Sequence, residues 1–304
     1  VVPIVTENLS ASYDGRNYVW KDISITIDKP GLVGILGPNG VGKSTFMYTL
    51  NKILEPRGGH VYLGGKDVAE MDYKDVAKMV AYVPQSSEET FSMSVMDTVL
   101  MGRYPVSGFG YSDDDIRIAA NCLDLMKMSD LAMRPSDELS AGQHQKMMIA
   151  RGLAQEPDIL MLDEPTANLD VYYQMYVMKI LHEIAHKNGI IVLTICHDLN
   201  IASRFCDRLI LFSDGKVHSD GTPEEVITEE NIREVYGVSS EVHEVDGRPY
   251  AVFHSDDSVD FGRDPGTLYK VGNYRGKNAE PEEKKTSIFG RFRGEDSDGK
   301  DREG

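Results

Sequence analysis

A chain of 304 residues, 41% of them apolar, has ample material for a packed core, in one large domain or two small ones. Its formal net charge of −17 argues against nonspecific adhesion to nucleic acid or anionic lipid, so at a membrane it must be held by a protein partner; away from one, the charge simply keeps a surface solvated. Cys122, Cys196 and Cys206 are odd in number and lack C-x-x-C spacing, which excludes a disulfide framework or a cysteine zinc site and reads as buried free thiols in a reducing compartment.

In chain order, Val19 to Ile27 alternates as a strand, GLVGILG (Gly31 to Gly37) reads as a buried strand, and Lys43 to Leu54 carries helical spacing. Between about Glu88 and Pro157 the pattern is mostly helical, with Met-rich stretches such as Asp114 to Met128. A second buried strand, Asp158 to Leu162, runs into Asp-Glu-Pro, and a third, Ile190 to Cys196, runs into His197. Strands alternating with helices predict an α/β core whose parallel sheet presents ligands at the carboxyl ends of its strands. No apolar run approaches the roughly eighteen residues that span a bilayer, and the first residues, VVPIVTENLS, show no basic n-region. Cytoplasmic residence is expected. Beyond about Phe253 aliphatic residues thin out, and from Ser255 onward twelve acids nearly balance ten bases, so this segment reads as a mobile tail and the acidity belongs to the folded body.

GPNGVGKST, comprising Gly37, Pro38, Asn39, Gly40, Val41, Gly42, Lys43, Ser44 and Thr45, fits G-x-x-x-x-G-K-[ST] between a strand and a helix. Its glycines let the backbone wrap phosphates so that successive N–H groups face the anion. A helix end contributes only about 0.3–2 kcal/mol, so Lys43 and a metal ion must supply the remainder. Lys43 is expected to bridge the β and γ phosphates, Ser44 to coordinate Mg²⁺, and Thr45 to support the α phosphate. In ILMLDEP, Asp163 and Glu164 follow an apolar strand: Asp163 is placed to hold Mg²⁺ through water, and Glu164 to orient and deprotonate the attacking water.

From about Val5 to Phe253 the sequence resembles the nucleotide-binding subunits of ABC transporters. LSAGQ, Leu139 to Gln143, is similar to their signature motif with Ala141 in place of Gly. The resemblance implies that Ser140, Gly142 and Gln143 bind the γ phosphate of an ATP held by another subunit, so that two copies arranged head to tail bury two ATPs in a homodimer. Ser140 also suits a plain helix cap. Gln85, in AYVPQ, resembles the Q-loop glutamine that touches Mg²⁺ and water; His197, in TICHDLN, resembles the switch histidine; Asp170, in ANLD, resembles the D-loop aspartate and is a natural N-cap as well. Tyr13, in SASYDG, resembles the aromatic that stacks on adenine, with Tyr18 and Trp20 close by; stacking leaves ATP and GTP undistinguished.

The fold this implies is an α/β P-loop NTPase core with a central mainly parallel sheet, an N-terminal antiparallel β region and a helical subdomain inserted at about 88–157, spanning residues 1–253 and followed by a disordered charged tail at 254–304. MDTVLMGRYP, ANLDVYYQ and the stretch ASRFCDRLILFSDGKVHSDGTPEEVITEENIREVYGV resemble the importers of iron-siderophore, haem and cobalamin. The resemblance implies transmembrane permease subunits as partners at the cytoplasmic face of the cell membrane, and indirectly an extracytoplasmic substrate-binding protein, with no nucleic acid. Residues from about Gln85 to Gly110 are expected to form the groove that receives the permease, with Phe91, Met93, Val95, Met96 and Tyr104 divided between that groove and the insertion's own core. A chromosome or repair ATPase would need coiled-coil arms where only about ninety residues without sustained heptads lie. An ATPase of iron-sulfur assembly and an exporter subunit remain the alternatives.

Overall fold

The computed structural model describes residues 1–85, 92–108 and 110–254, all within one unit, Val1–Val259. Residues 255–304 of the expected tail, and Phe91, lie outside the described residues. β1 (Ile4–Ala11), β2 (Trp20–Ile27), β4 (Gly58–Leu63) and the short β5 (Lys66–Asp67) form an antiparallel sheet in the order β2-β1-β4-β5. β2 alternates buried and exposed residues because one face packs on the core while the other meets water.

The central sheet contains β3 (Gly31–Leu36), β6 (Val80–Val83), β7 (Ile159–Leu162), β8 (Ile191–Ile195), β9 (Arg208–Ser213) and β10 (Lys216–Gly221), in the order β10-β9-β3-β8-β7-β6. All neighbours run parallel except β10, which returns along β9 as an antiparallel edge. β3, β7 and β8 are buried at every position, which is why they read as continuous apolar runs. Their two faces feed two apolar clusters: Val33, Ile35, Met161 and Leu193 pack toward the antiparallel sheet, and Leu32, Leu36, Leu160 and Leu162 toward the helices.

α1 (Lys43–Leu50) is shorter than the predicted helix to Leu54. Asn51 caps it, Lys52 adopts φ 65°, and the N–H groups of Ile53 and Leu54 fold back onto the Tyr48 carbonyl. α2 (Tyr73–Met79) leads into β6. The inserted region contains α3 (Val95–Leu100), α4 (Asp113–Leu125) and α5 (Ala141–Ala154). Arg103, nearly buried, ties these together: it donates to Asp115 Oδ1, the Ala154 carbonyl and Glu156 Oε2, each at 2.8 Å. Those bonds hold the Asp115 carboxyl well below the ordinary range, its pairing with Arg103 being the largest cause.

The chain closes with α6 (Val171–Asn188), α7 (Leu199–Phe205), α8 (Pro223–Val226), α9 (Glu229–Tyr236) and a hairpin of β11 (Ser240–Val245) and β12 (Arg248–Phe253). The hairpin, absent from the sequence expectations, docks on α7: Asn200 exchanges hydrogen bonds with the Ala251 backbone, at 3.1 and 2.7 Å. Cys196 and Cys206 are buried as expected, whereas Cys122 is half-buried. Among the described residues no helix is long and apolar enough to cross a membrane.

Candidate functional site

β3 delivers the chain to Gly37 at its carboxyl end, and the following loop turns through glycines with positive φ before α1 starts at Lys43. Two of those glycines are obligatory for packing as well as for φ. A Cβ on Gly37 would sit 2.4 Å from the Phe212 carbonyl oxygen, and one on Gly42 would sit 2.4 Å from Val19 Cγ1 and 2.7 Å from Trp20 Cδ1. Trp20 also donates its indole N–H to the Gly42 carbonyl at 3.3 Å, fixing the loop from below.

The Lys43 ammonium is buried and donates to the Gly37 and Pro38 carbonyl oxygens at 2.8 and 2.9 Å, which leaves one of its three protons for an anion. Burial lowers its pKa, and the charges of Glu164 and Asp163 pull it partly back. Thr45 shares a hydrogen bond with the Tyr13 hydroxyl at 3.0 Å, which brings the exposed Tyr13 ring to the start of α1.

Asp163 emerges from the end of β7, buried to 4% exposure. Its Oδ2 accepts from Tyr82 Oη at 3.3 Å, while Oδ1 is buried with no hydrogen-bond partner among the described residues. Burial raises the carboxyl above its usual range; the Ser44 hydroxyl works against that, and the adjacent Glu164 charge adds to it. A buried carboxylate oxygen without a partner beside a serine hydroxyl is a hard-oxygen donor set, which fits Mg²⁺.

Glu164 takes φ 52°, a strain of about 1–3 kcal/mol for a non-glycine residue, and so turns away from the strand direction. Its two oxygens are each engaged: Gln85 Nε2 donates to Oε2 at 2.5 Å, and His197 Nε2 contacts Oε1. Three residues from separate strand ends, β6, β7 and β8, therefore meet.

The signature segment lies elsewhere. Ser140 caps α5 by accepting from the Gln143 N–H at 3.3 Å, and the Gln143 side chain accepts from the Ser140 N–H at 3.0 Å, a reciprocal capping box. Gly142 abuts the loop before α6: a Cβ there would lie 3.0 Å from the Asn168 carbonyl. Asp170 caps α6 by accepting from the Tyr173 N–H at 2.9 Å. Among the described residues, no hydrogen bond of Ser140 or Gln143 reaches the Gly37 to Thr45 loop.

Two residues near the phosphate loop escaped sequence reasoning, Tyr82 on Asp163 and Tyr236 at the end of α9, and Trp20, noted only as an aromatic near Tyr13, lies against Gly42. Burial pushes the Tyr236 phenol up to about 12, with the neighbouring Gly37 backbone pulling it partly back. The available signal for Tyr82 was a polar hydroxyl in an otherwise apolar strand.

Residues 20–167 match the family model for ABC transporters. The chain is 42% identical over 247 residues to an ABC transporter ATP-binding protein of Methanocaldococcus jannaschii, covering 79% of this chain and 96% of that protein. This chain is an ATP-binding subunit of an ABC transporter. Its ABC relatives include the iron(3+)-hydroxamate import ATP-binding protein of Bacillus subtilis, 38% identical over 78% of this chain and 88% of that protein, and the hemin import ATP-binding protein of Bordetella avium, 38% identical over 75% and 90%. Among solved structures, an inward-facing metal-chelate type ABC transporter matches with a TM-score of 0.71 at 26% identity, covering 84% of this chain and 97% of that one. A dimeric ATP-binding cassette bound to ADP and Pi matches with a TM-score of 0.64 at 26% identity, covering 72% and 98%.

Proposed function

We propose that this ABC subunit hydrolyses ATP in a head-to-tail homodimer and so energises an importer of iron-siderophore, haem or cobalamin. The observation that carries the chemistry is the convergence of Gln85, Glu164 and His197 beside Lys43 and Asp163. Glu164 is the base for the attacking water, and His197 and Gln85 hold its two oxygens in one orientation. Lys43 neutralises the β and γ phosphates from a buried position where its charge is least screened. Ser44 and Asp163, with Gln85 nearby, would hold Mg²⁺, which would further compensate the phosphate charge. Tyr13 stacks on the purine.

The placement of Ser140 and Gly142 away from this loop supports completion of each site by a second copy, as does the likeness to a cassette dimer. A cavity of about 370 Å³, lined by Tyr82, Pro84, Met101, Tyr104, Met148 and Arg151, suits the permease contact. Of the residues expected to divide between groove and core, Val95 and Met96 pack into the helical core, while Tyr104, 78% exposed, lines this cavity. The import direction rests on the names of the relatives, and the permease and external binding protein follow from it.

Glu164→Gln should abolish turnover while retaining ATP, since the amide keeps the shape and loses the base. Size-exclusion chromatography at saturating ATP and Mg²⁺ should then give a stable dimer. A variant that stayed monomeric would defeat the shared-site reading.

A further inference from the structure

We propose that His182, His186 and Asp207 form a second metal site, selective for a borderline divalent transition-metal ion of the zinc class, at the end of the central sheet opposite the phosphate loop. One ring nitrogen of each histidine and one carboxylate oxygen lie within 4.8 Å of one another. His186 Nε2 is 3.1 Å from both Asp207 oxygens, His182 Nδ1 is 3.8 Å from Oδ2, and the two ring centroids are 4.4 Å apart. Ligand atoms around a tetrahedral zinc with bonds of about 2.0–2.1 Å are separated by about 3.3 Å, so the His186–Asp207 pair already fits, the His182–Asp207 pair must close by about half an ångström, and the widest pair by at most about 1.5 Å.

The ligands are held in advance. His182 and His186 stand four residues apart on one face of α6. Asp207 is pinned at two points by Leu32: its Oδ2 accepts from the Leu32 N–H at 2.8 Å, and its N–H donates to the Leu32 carbonyl at 2.8 Å. The Phe205 carbonyl oxygen accepts from His182 Nδ1 at 2.9 Å in the metal-free protein, so an ion bound at Nδ1 would displace that proton and its hydrogen bond. The site faces the last turn of α6, whose carbonyl end favours a cation. Three protein ligands leave a position for water, and a cavity of about 360 Å³ bordered by His186 and Asp207 gives solvent access. Arg208, on the same cavity, is occupied by Asp220 at 2.6 and 2.7 Å and does not compete for the Asp207 carboxylate.

Two imidazoles and one carboxylate select against Mg²⁺ and Ca²⁺, which prefer oxygen ligands throughout. This separates the site chemically from the one at Ser44 and Asp163. Its location also separates it, because Asp207 precedes β9 and Leu32 opens β3, whereas the phosphate loop follows the far end of β3. An ion here would clamp the end of α6 to the α7–β9 connection.

The test is calorimetric titration of zinc chloride into the nucleotide-free full chain, with and without excess Mg²⁺, alongside His182→Gln, His186→Gln and the double variant. Outer-shell partners of metal sites alone are worth about 10–100-fold in affinity, so loss of a direct ligand should weaken the tightest zinc event by at least about tenfold. Zinc should also raise the thermal midpoint of the wild type but not of the double variant. Equal midpoints without metal would show that the variants fold. Wild type and double variant binding zinc with the same affinity would overturn the site, and displacement of the ion by Mg²⁺ would overturn its class.

Discussion

Asp163 carries an oxygen that is buried and has no hydrogen-bond partner among the described residues, and its carboxyl is raised above the ordinary range by burial. A carboxyl whose folded pKa is raised contributes stability below the ordinary carboxylate pKa, and that contribution is lost as pH rises through the raised value. At neutral pH without metal the ionised group therefore weighs against the fold. Asp163→Asn should raise the thermal midpoint of the nucleotide- and magnesium-free protein at pH 7, at about 2–4 °C per kcal/mol relieved, while removing Mg²⁺-dependent hydrolysis. The gap between variant and wild type should close as pH falls; a variant melting below the wild type at pH 7 would show that the carboxylate is stabilising. The loop at Gly37 to Thr45 and the pair Asp163 and Glu164 were legible in sequence because their spacing and apolar flanks are local. Tyr82 and Tyr236 reach Asp163 and Gly37 only through tertiary packing, so in sequence each is one more strand or helix residue, and Trp20, visible as an aromatic near Tyr13, gave no sign of its contact with Gly42.

The first turns of α6 link the loop at Asp170 to the inserted helices through aromatic and cationic contacts. Tyr176 donates to the Leu125 carbonyl at 2.9 Å, Lys127 donates to the Tyr172 hydroxyl at 2.8 Å and lies 4.2 Å from the Tyr176 ring centroid, and Lys146 lies 4.0 Å from that of Tyr173. A neutral hydrogen bond contributes about 0.5–1.5 kcal/mol and an exposed cation–π contact about 0.5–1 kcal/mol. Tyr176→Phe combined with Lys127→Ala should lower the midpoint by a few degrees, and calorimetry showing no change would make the link energetically idle. The helical patterning of Asp114 to Met128 covers α4, and the starts of α5 and α6 were legible only as caps at Ser140 and Asp170; none of this revealed that ANLDVYYQ supplies the rings of this link. α1 was overextended because Ile53 and Leu54 continue the apolar spacing past a terminus set by backbone conformation at Asn51 and Lys52. The β11–β12 hairpin was missed because its strands are largely exposed and so lack a continuous apolar run.

At the scale of the whole molecule, one chain holds two segments that share no hydrogen bond among the described residues: a phosphate loop with its carboxylates, and a capped α5 terminus at Ser140. If each ATP is enclosed by Lys43 of one copy and Ser140 of another, the halves can be inactivated on different chains and recombined. Lys43→Ala destroys both sites of its own homodimer, and Ser140→Arg, which places bulk and positive charge at the capped terminus, destroys both sites of its own. In a mixed dimer one site pairs the intact loop with the intact α5 terminus, and the other carries both lesions. Random exchange at equal concentrations makes about half of all dimers mixed, each with one intact site of two, so the mixture should recover roughly a quarter of wild-type hydrolysis if the sites act independently. Each variant alone should remain at background. Recovery requires that the two halves come from different chains, because a site contained within one chain would stay broken in every combination; a mixture no more active than its components, with exchange verified by tag co-purification, would show that the sites are either self-contained or obligately paired.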